Sequence, residues 1–222
     1  MIDGTTKPVL HNYFRSSTSF RVRIALNMKG IEYDYVAHHL RKGEHRQPGF
    51  LAINPQGLLP SLAWSAGEVL HQSMAILEFL EEIAPQPAML PSDPFERARI
   101  RGIANMIACD IHPVNNLRVL AQLRSRYQAD EAEIANWFRH WVSETFAPLE
   151  KLLAESDQTG TFCHGETPTL ADICLVPQVI NNMRFDVDMS PYPIISRISE
   201  TCMKLDAFAK AAPANQPDFE PA

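Results

Sequence analysis

A proline-dense stretch, Ala84-Pro85-Gln86-Pro87-Ala88-Met89-Leu90-Pro91-Ser92-Asp93-Pro94, divides this 222-residue chain into two parts with different hydrophobic rhythms. It carries no periodicity of its own and reads as a linker. Upstream, Val9-Leu10-His11-Asn12-Tyr13-Phe14 is rich in strand formers and follows Lys7-Pro8. Val22, Ala25 and Lys29-Gly30 then read as one helix ending at a glycine cap. Tyr33 to His38 alternates as a second strand. Strand, helix, strand is a βαβ unit, so these two strands are expected to be parallel with a right-handed crossover.

Asn54-Pro55-Gln56-Gly57 is a turn signal. Pro60 after it has two readings: a trans proline opening an edge strand, or a cis proline that exposes the backbone of Leu59. Ser61 to Trp64 and Glu68 to Leu70 flank Ser65-Ala66-Gly67 as a hairpin. Ser73 is expected to cap a helix whose apolar positions are Ile76, Leu77, Leu80 and Ile83. The order β-α-β, β-β-α makes a small α/β domain over residues 1–84, with the linker at 85–94.

Beyond the linker, residues 95–222 read as all-helical. The expected helices are Phe95 to Ile111, Leu117 to Tyr127, Asp130 to Glu155, Leu170 to Asn182 and Ile194 to Ala209. Thr169-Leu170-Ala171-Asp172 opens one of them as a capping box, a structural role. Pro213 to Ala222 is proline-rich and polar and reads as a loose tail.

Apolar residues make up 45% and charged residues 21%, the balance of a soluble globular protein. A net charge of -6 argues against a general nucleic-acid binder. Met1 to Thr6 shows no secretory pattern and no apolar run is long enough to span a bilayer. Cys109, Cys163, Cys174 and Cys202 lack the spacing of a disulfide framework, so a reduced cytoplasmic setting is expected. Cys109 and His112 lie at i, i+3, but two ligands without a further cluster make no metal site, and Cys109 is expected in the core. No Ser-His-Asp grouping, glycine-rich phosphate loop or paired-carboxylate motif supports a hydrolase or a nucleotide-dependent enzyme.

The chemistry is concentrated at Arg15-Ser16-Ser17-Thr18-Ser19-Phe20-Arg21. Strand, hydroxyl-rich turn and helix set Ser/Thr side chains and unpaired backbone N–H groups at a helix N-terminus. Such a place favours an anion and lowers the pKa of a thiol held there. The stretch contains no cysteine, so a bound molecule must bring the sulfur. The plain alternative is that these residues simply cap the helix.

Tyr13 to Leu26 closely resembles the signature turn and first helix of zeta-class glutathione transferases, with Thr18 where the usual pattern has cysteine. Asn54-Pro55, Leu59-Pro60, His71-Gln72-Ser73, Thr169-Leu170-Ala171-Asp172 and Asp188 to Pro193 match as well, so the resemblance spans nearly the whole chain. It implies a thioredoxin-like α/β N-terminal domain followed by an all-α C-terminal domain, in a homodimer. It also implies a glutathione-dependent cis–trans isomerase acting on maleylacetoacetate or maleylpyruvate, small dicarboxylic keto acids of aromatic catabolism. Cys109 to Asn116, together with Thr18, is closer to the bacterial maleylpyruvate type. A transferase conjugating small electrophiles and a non-catalytic binding protein on the same fold are the alternatives.

By this resemblance Ser16 meets the thiol of glutathione, with Ser17 and Thr18 beside it. Gln72 and Ser73 hold the γ-glutamyl carboxylate at a second helix N-terminus. Leu59 pairs its backbone with the cysteinyl unit if Pro60 is cis, and His45 reaches the glycyl end. His112 and Asn116, in a proline-interrupted stretch, join the glutathione-binding set. The second substrate carries carboxylates, which call for arginine forks; Arg15, Arg118 and Arg184 are the candidates, with Arg15 and Arg184 counted with Ser16 as catalytic. The plain reading of Arg118 is a surface salt bridge.

Overall fold

Alternation along β1 (Val9–Asn12) sends Leu10 and Asn12 to a fully buried face, as expected for a strand covered on one side. The computed structural model describes residues 7–64 and 67–221; Met1 to Thr6, Ala222, and Ser65 and Ala66 of the expected hairpin turn lie outside the described residues. By its internal contacts the chain forms two compact units, Met1–Met89 with Lys204–Ala222, and Leu90–Met203.

In the first unit β1 leads through α1 (Ser17–Met28) to β2 (Asp34–Ala37), and the strands are parallel. Lys29 ends α1 as its cap, and Gly30 follows at φ 64°, the left-handed backbone a glycine adopts without steric cost. Two short 3-10 turns, Leu40–Lys42 and Glu44–Arg46, lead to α2 (Pro48–Leu51). The Leu59–Pro60 peptide is cis. Beyond it come β3 (Ser61–Ala63), β4 (Val69–His71) and α3 (Ser73–Ile83). β3 is antiparallel to both β1 and β4, so the sheet order is β2-β1-β3-β4. Ile76, Leu77 and Leu80 of α3 are fully buried, and α3 packs against α1. This is the thioredoxin-like α/β arrangement that the sequence pattern leads one to expect.

The second unit holds α4 (Pro94–Asn105), a π-helical segment Met106–Ile111, the one-turn α5 (His112–Val114), α6 (Leu117–Tyr127), α7 (Glu131–Glu155), α8 (Leu170–Asn182) and α9 (Pro193–Met203). α8 is buried nearly all round from Leu170 to Val179, and packs against α4 and α9, so it is the central helix of this unit. The capping box holds: Asp172 accepts from Thr169 N at 2.7 Å, Thr169 Oγ1 at 2.8 Å and Cys163 N at 2.9 Å. Burial pushes the Asp172 carboxyl up, and those donors pull it back down.

Three expectations change. Ile194 to Ala209 is two helices, α9 and α10 (Asp206–Ala211), because Leu205 between them is extended at φ -84°, ψ 134°. Residues 204–222 do not stay with the helical domain; α10 packs on α1 in the first unit. The tail is not loose. Asn215 Nδ2 donates to Ala209 O at 2.7 Å, and Gln216 Nε2 to Lys210 O and Ala212 O at 2.8 and 2.9 Å. Side-chain amides thus satisfy the carbonyls left over at the end of α10 and turn the chain back.

Candidate active site

Ser16 is the N-cap of α1, extended at φ -72°, ψ 117°, and its Oγ accepts from Ser19 N at 3.2 Å. The same oxygen lies 2.9 Å from Thr18 Oγ1, and Thr18 Oγ1 donates to Leu59 O at 3.0 Å. A carbonyl only accepts, so the single Thr18 proton goes to Leu59 and Ser16 is the donor to Thr18. Capping and function are therefore compatible: the cap uses a lone pair of Ser16 and leaves its proton to be given. Ser17, the first residue of the helix, is buried.

The backbone entering this turn is held by buried charge. Arg23 is fully buried; its guanidinium donates to Asn12 Oδ1 (2.9 Å), Tyr13 O (3.3 Å), Phe14 O (3.0 Å) and Ala211 O (3.0 Å). Burial draws its pKa down to about 10, which leaves it charged at neutral pH. Arg15 lies over the Phe14 ring at 5.1 Å and donates to Glu220 O at 3.3 Å. Sequence reasoning assigned no role to Arg23 or to the chain end; a charged residue within an apolar helix face was the available signal.

Gln72 and Ser73 come together at the start of α3, with one correction. Gln72, not Ser73, is the cap residue, at φ 68°, and Ser73 is the first residue of the helix. The Ser73 hydroxyl is instead 3.3 Å from Arg21 Nη1, which donates to it. Gln72 Nε2 donates to Gln56 Oε1 at 3.0 Å, so Gln56 of the Asn-Pro turn is a further member of this edge. His45, in the second 3-10 turn, buries its Nδ1 with no hydrogen-bond partner. Burial lowers its pKa, helped by Arg46 and His38, and so favours the neutral imidazole. A buried ring nitrogen without a partner fits a ligand carrying a complementary polar group.

The second-unit candidates occupy two places within that unit. His112 begins α5, Asn116 caps α6 by accepting from Arg118 N at 3.1 Å, and Arg118 stands at its first turn. This stretch is pinned by Asn115 Nδ2 to Phe138 O (3.2 Å) and Trp137 Nε1 to Val114 O (3.1 Å). Arg184 lies in the 3-10 turn after α8, donates to Asn181 Oδ1 at 3.0 Å and sits 5.7 Å over the Phe185 ring. That ring stacks on Phe138 at 3.8 Å. Cys109 is exposed rather than packed in the core, and its Sγ is 3.7 Å from Asn105 Oδ1. The π segment explains the difference, because its wider turn rotates the face that a strict helical period would bury. Among the described residues no group of three His, Cys, Asp or Glu is placed to hold a metal ion, and no helix is long and apolar enough to cross a membrane.

Comparison with known proteins bears on this geometry. Residues 15–83 match the family model of the glutathione S-transferase N-terminal domain. The chain is 52% identical to the maleylpyruvate isomerase of a Ralstonia species over 94% of its own length and 98% of the relative's. A holo structure of a maleyl pyruvate isomerase, described as a bacterial zeta-class glutathione S-transferase, superposes with a TM-score of 0.93 at 50% identity, covering 96% of this chain and all of the other. The maleylacetoacetate isomerase of Methylobacterium extorquens, solved with malonate and glutathione bound, also gives 0.93, at 39% identity with the same coverage.

Proposed function

The chain belongs to the zeta class of the glutathione S-transferases, and from that membership we propose that it is a glutathione-dependent cis–trans isomerase of maleylpyruvate or maleylacetoacetate. The observation that carries this reading is the start of α1, where Ser16 is capped, oriented and left with a proton to give. The residues present fit glutathione. Two helix N-termini face the chain's hydroxyl and amide side chains at Ser16 and at Gln72-Ser73, and His45 keeps a buried ring nitrogen without a partner.

Ser16 would lie at the thiol, Ser17 and Thr18 beside it, Leu59 at the cysteinyl unit, Gln72 and Ser73 at the γ-glutamyl end, and His45 at the glycyl end. When bound, glutathione supplies a thiolate that adds to the cis double bond and departs after rotation, so it is not consumed. Ser16 donates a hydrogen bond that favours the ionised sulfur, and the α1 N-terminus adds its partial positive charge. Arg15 and Arg184 pin carboxylates of the keto acid, with Arg118, His112 and Asn116 as further contributors from the helical unit. Catalysis then rests on positioning and electrostatics, with no covalent bond to the protein. A homodimer in the cytoplasm belongs to the same reading; four free cysteines support a reducing setting.

The test is to follow maleylpyruvate and maleylacetoacetate by absorbance with and without glutathione. Glutathione-dependent loss of the cis isomer with no net thiol consumed supports the proposal. Consumption of thiol with halogenated or epoxide electrophiles alone would make the protein a conjugating transferase instead, and failure to bind immobilised glutathione would make it a binding protein of another kind.

A further inference from the structure

The last described residues run back over the turn that carries Arg15 and Ser16, and their contacts are specific. Asp218 Oδ2 accepts from Phe14 N at 3.1 Å, while Asp218 Oδ1 accepts the Tyr35 hydroxyl of β2. Phe219 packs edge-on against Phe14 at 5.5 Å. Glu220 O accepts from Arg15 at 3.3 Å, and the Glu220 carboxylate takes Lys42 Nζ at 2.8 Å and His39 Nε2 at 3.0 Å. Upstream, Asn215 and Gln216 fix the return to the end of α10.

Phe14 is therefore held at both polar ends by opposite charges. Its N–H points to the Asp218 carboxylate, and its carbonyl accepts from Arg23. Arg23 in turn holds Ala211 O of α10, so helix start, turn and chain end share one network. The two residues after Phe14 are Arg15 and Ser16, so a shift of this peptide moves the Ser16 hydroxyl directly. The 3.0 Å contact to Leu59 through Thr18 leaves little room for such a shift. Charged acceptors hold an N–H more tightly than neutral ones, and burial of the Tyr35 hydroxyl, whose pKa is raised by burial and by Asp218, keeps that carboxylate in place.

We propose that Asp218 and Glu220 are positioning residues for the reaction: the C-terminal segment is a clasp that fixes the Phe14–Arg15–Ser16 backbone, and with it the direction of the thiol-stabilising hydroxyl. This rests on the isomerase reading. Asp218 sets the peptide before Arg15, and Glu220 keeps the segment closed and holds the Arg15 side chain. Neither residue touches the reacting atoms.

The experiment compares the full-length wild type with Asp218→Ala, Asp218→Asn, Glu220→Ala and Tyr35→Phe, measuring kcat, KM for both substrates and the pKa of bound glutathione's thiol from its ultraviolet absorbance. For Asp218→Ala the expected result is a kcat lower by about tenfold or more, since small misplacements of reacting groups are costly. A raised thiol pKa and a little-changed KM for glutathione should accompany it. Asp218→Asn, which keeps an acceptor for Phe14 N–H, should recover part of the loss. Glu220→Ala and Tyr35→Phe should each show a smaller loss in the same direction. If Asp218→Ala does not fold, the other three variants decide. Folded variants with wild-type kcat and thiol pKa overturn the clasp. A wild type that neither binds glutathione nor isomerises either keto acid overturns the function instead, so the two failures are distinct.

Discussion

Thr18 gives its only hydroxyl proton to the carbonyl of Leu59, 3.0 Å away, and so ties the first turn of α1 to the residue before Pro60. Ser16 must then be the donor across the 2.9 Å to Thr18. The usual zeta-class cysteine at position 18 is a weak donor and would tie Leu59 less firmly. Thr18→Val, which keeps the shape and removes the hydroxyl, is expected to cost about 1 kcal/mol in urea unfolding. Thr18→Ser should retain most of that stability. Equal midpoints for wild type and Thr18→Val would show that the hydroxyl does nothing for the fold.

Ser16→Ala removes both the cap and the donor. Turnover should fall by roughly 10²-fold, the scale of a lost hydrogen bond to developing or stabilised negative charge, while affinity for glutathione stays near wild type. Steady-state turnover alongside calorimetric binding separates the two. Parallel loss of both would reassign Ser16 to binding alone.

Arg23→Met would strand Asn12 Oδ1 and the carbonyls of Tyr13, Phe14 and Ala211. Buried acceptors left without donors cost about 1–3 kcal/mol each, so a loss of at least about 3 kcal/mol is expected. Arg23→Lys should recover little, because one ammonium cannot reach four acceptors around a planar fork. Chemical denaturation of both variants checks this, and a Lys variant as stable as wild type would contradict the account.

His11 Nδ1 and His38 Nε2 lie 2.9 Å apart, with Phe50 against both rings. Burial lowers the pKa of each below 6.5, and His38 adds to the lowering at His11 while Glu44 opposes it at His38. The unfolded chain therefore binds protons more readily than the folded one. Stability should fall as pH drops through the unfolded value and stop falling below the folded one. Thermal midpoints measured from neutral to mildly acidic pH should show this decline, and His11→Asn with His38→Gln should flatten it. An unchanged slope in the double variant would sink the assignment.

Much of this molecule is readable along the chain because its signals are local. The glycine at the end of α1, the Thr169–Asp172 box and the bounds of α6 and α8 each follow from side chains within a few residues of one another. So does the change from mixed strand and helix to helix alone across the prolines. The start of α3 was legible as a place but not in its details, since Arg21 draws the Ser73 hydroxyl away and leaves Gln72 at the cap.

What the sequence determined by itself is the order and type of the elements, together with the hydroxyl-rich start of α1, because propensity and periodicity act over one or two turns. Only the tertiary structure decided that Pro60 is cis, that Cys109 faces out, and that Arg23 lies buried behind the turn. It alone brought Asp218 to Phe14, 204 positions away. Such contacts depend on which buried groups need partners once the core has closed, and no short window of residues contains that requirement.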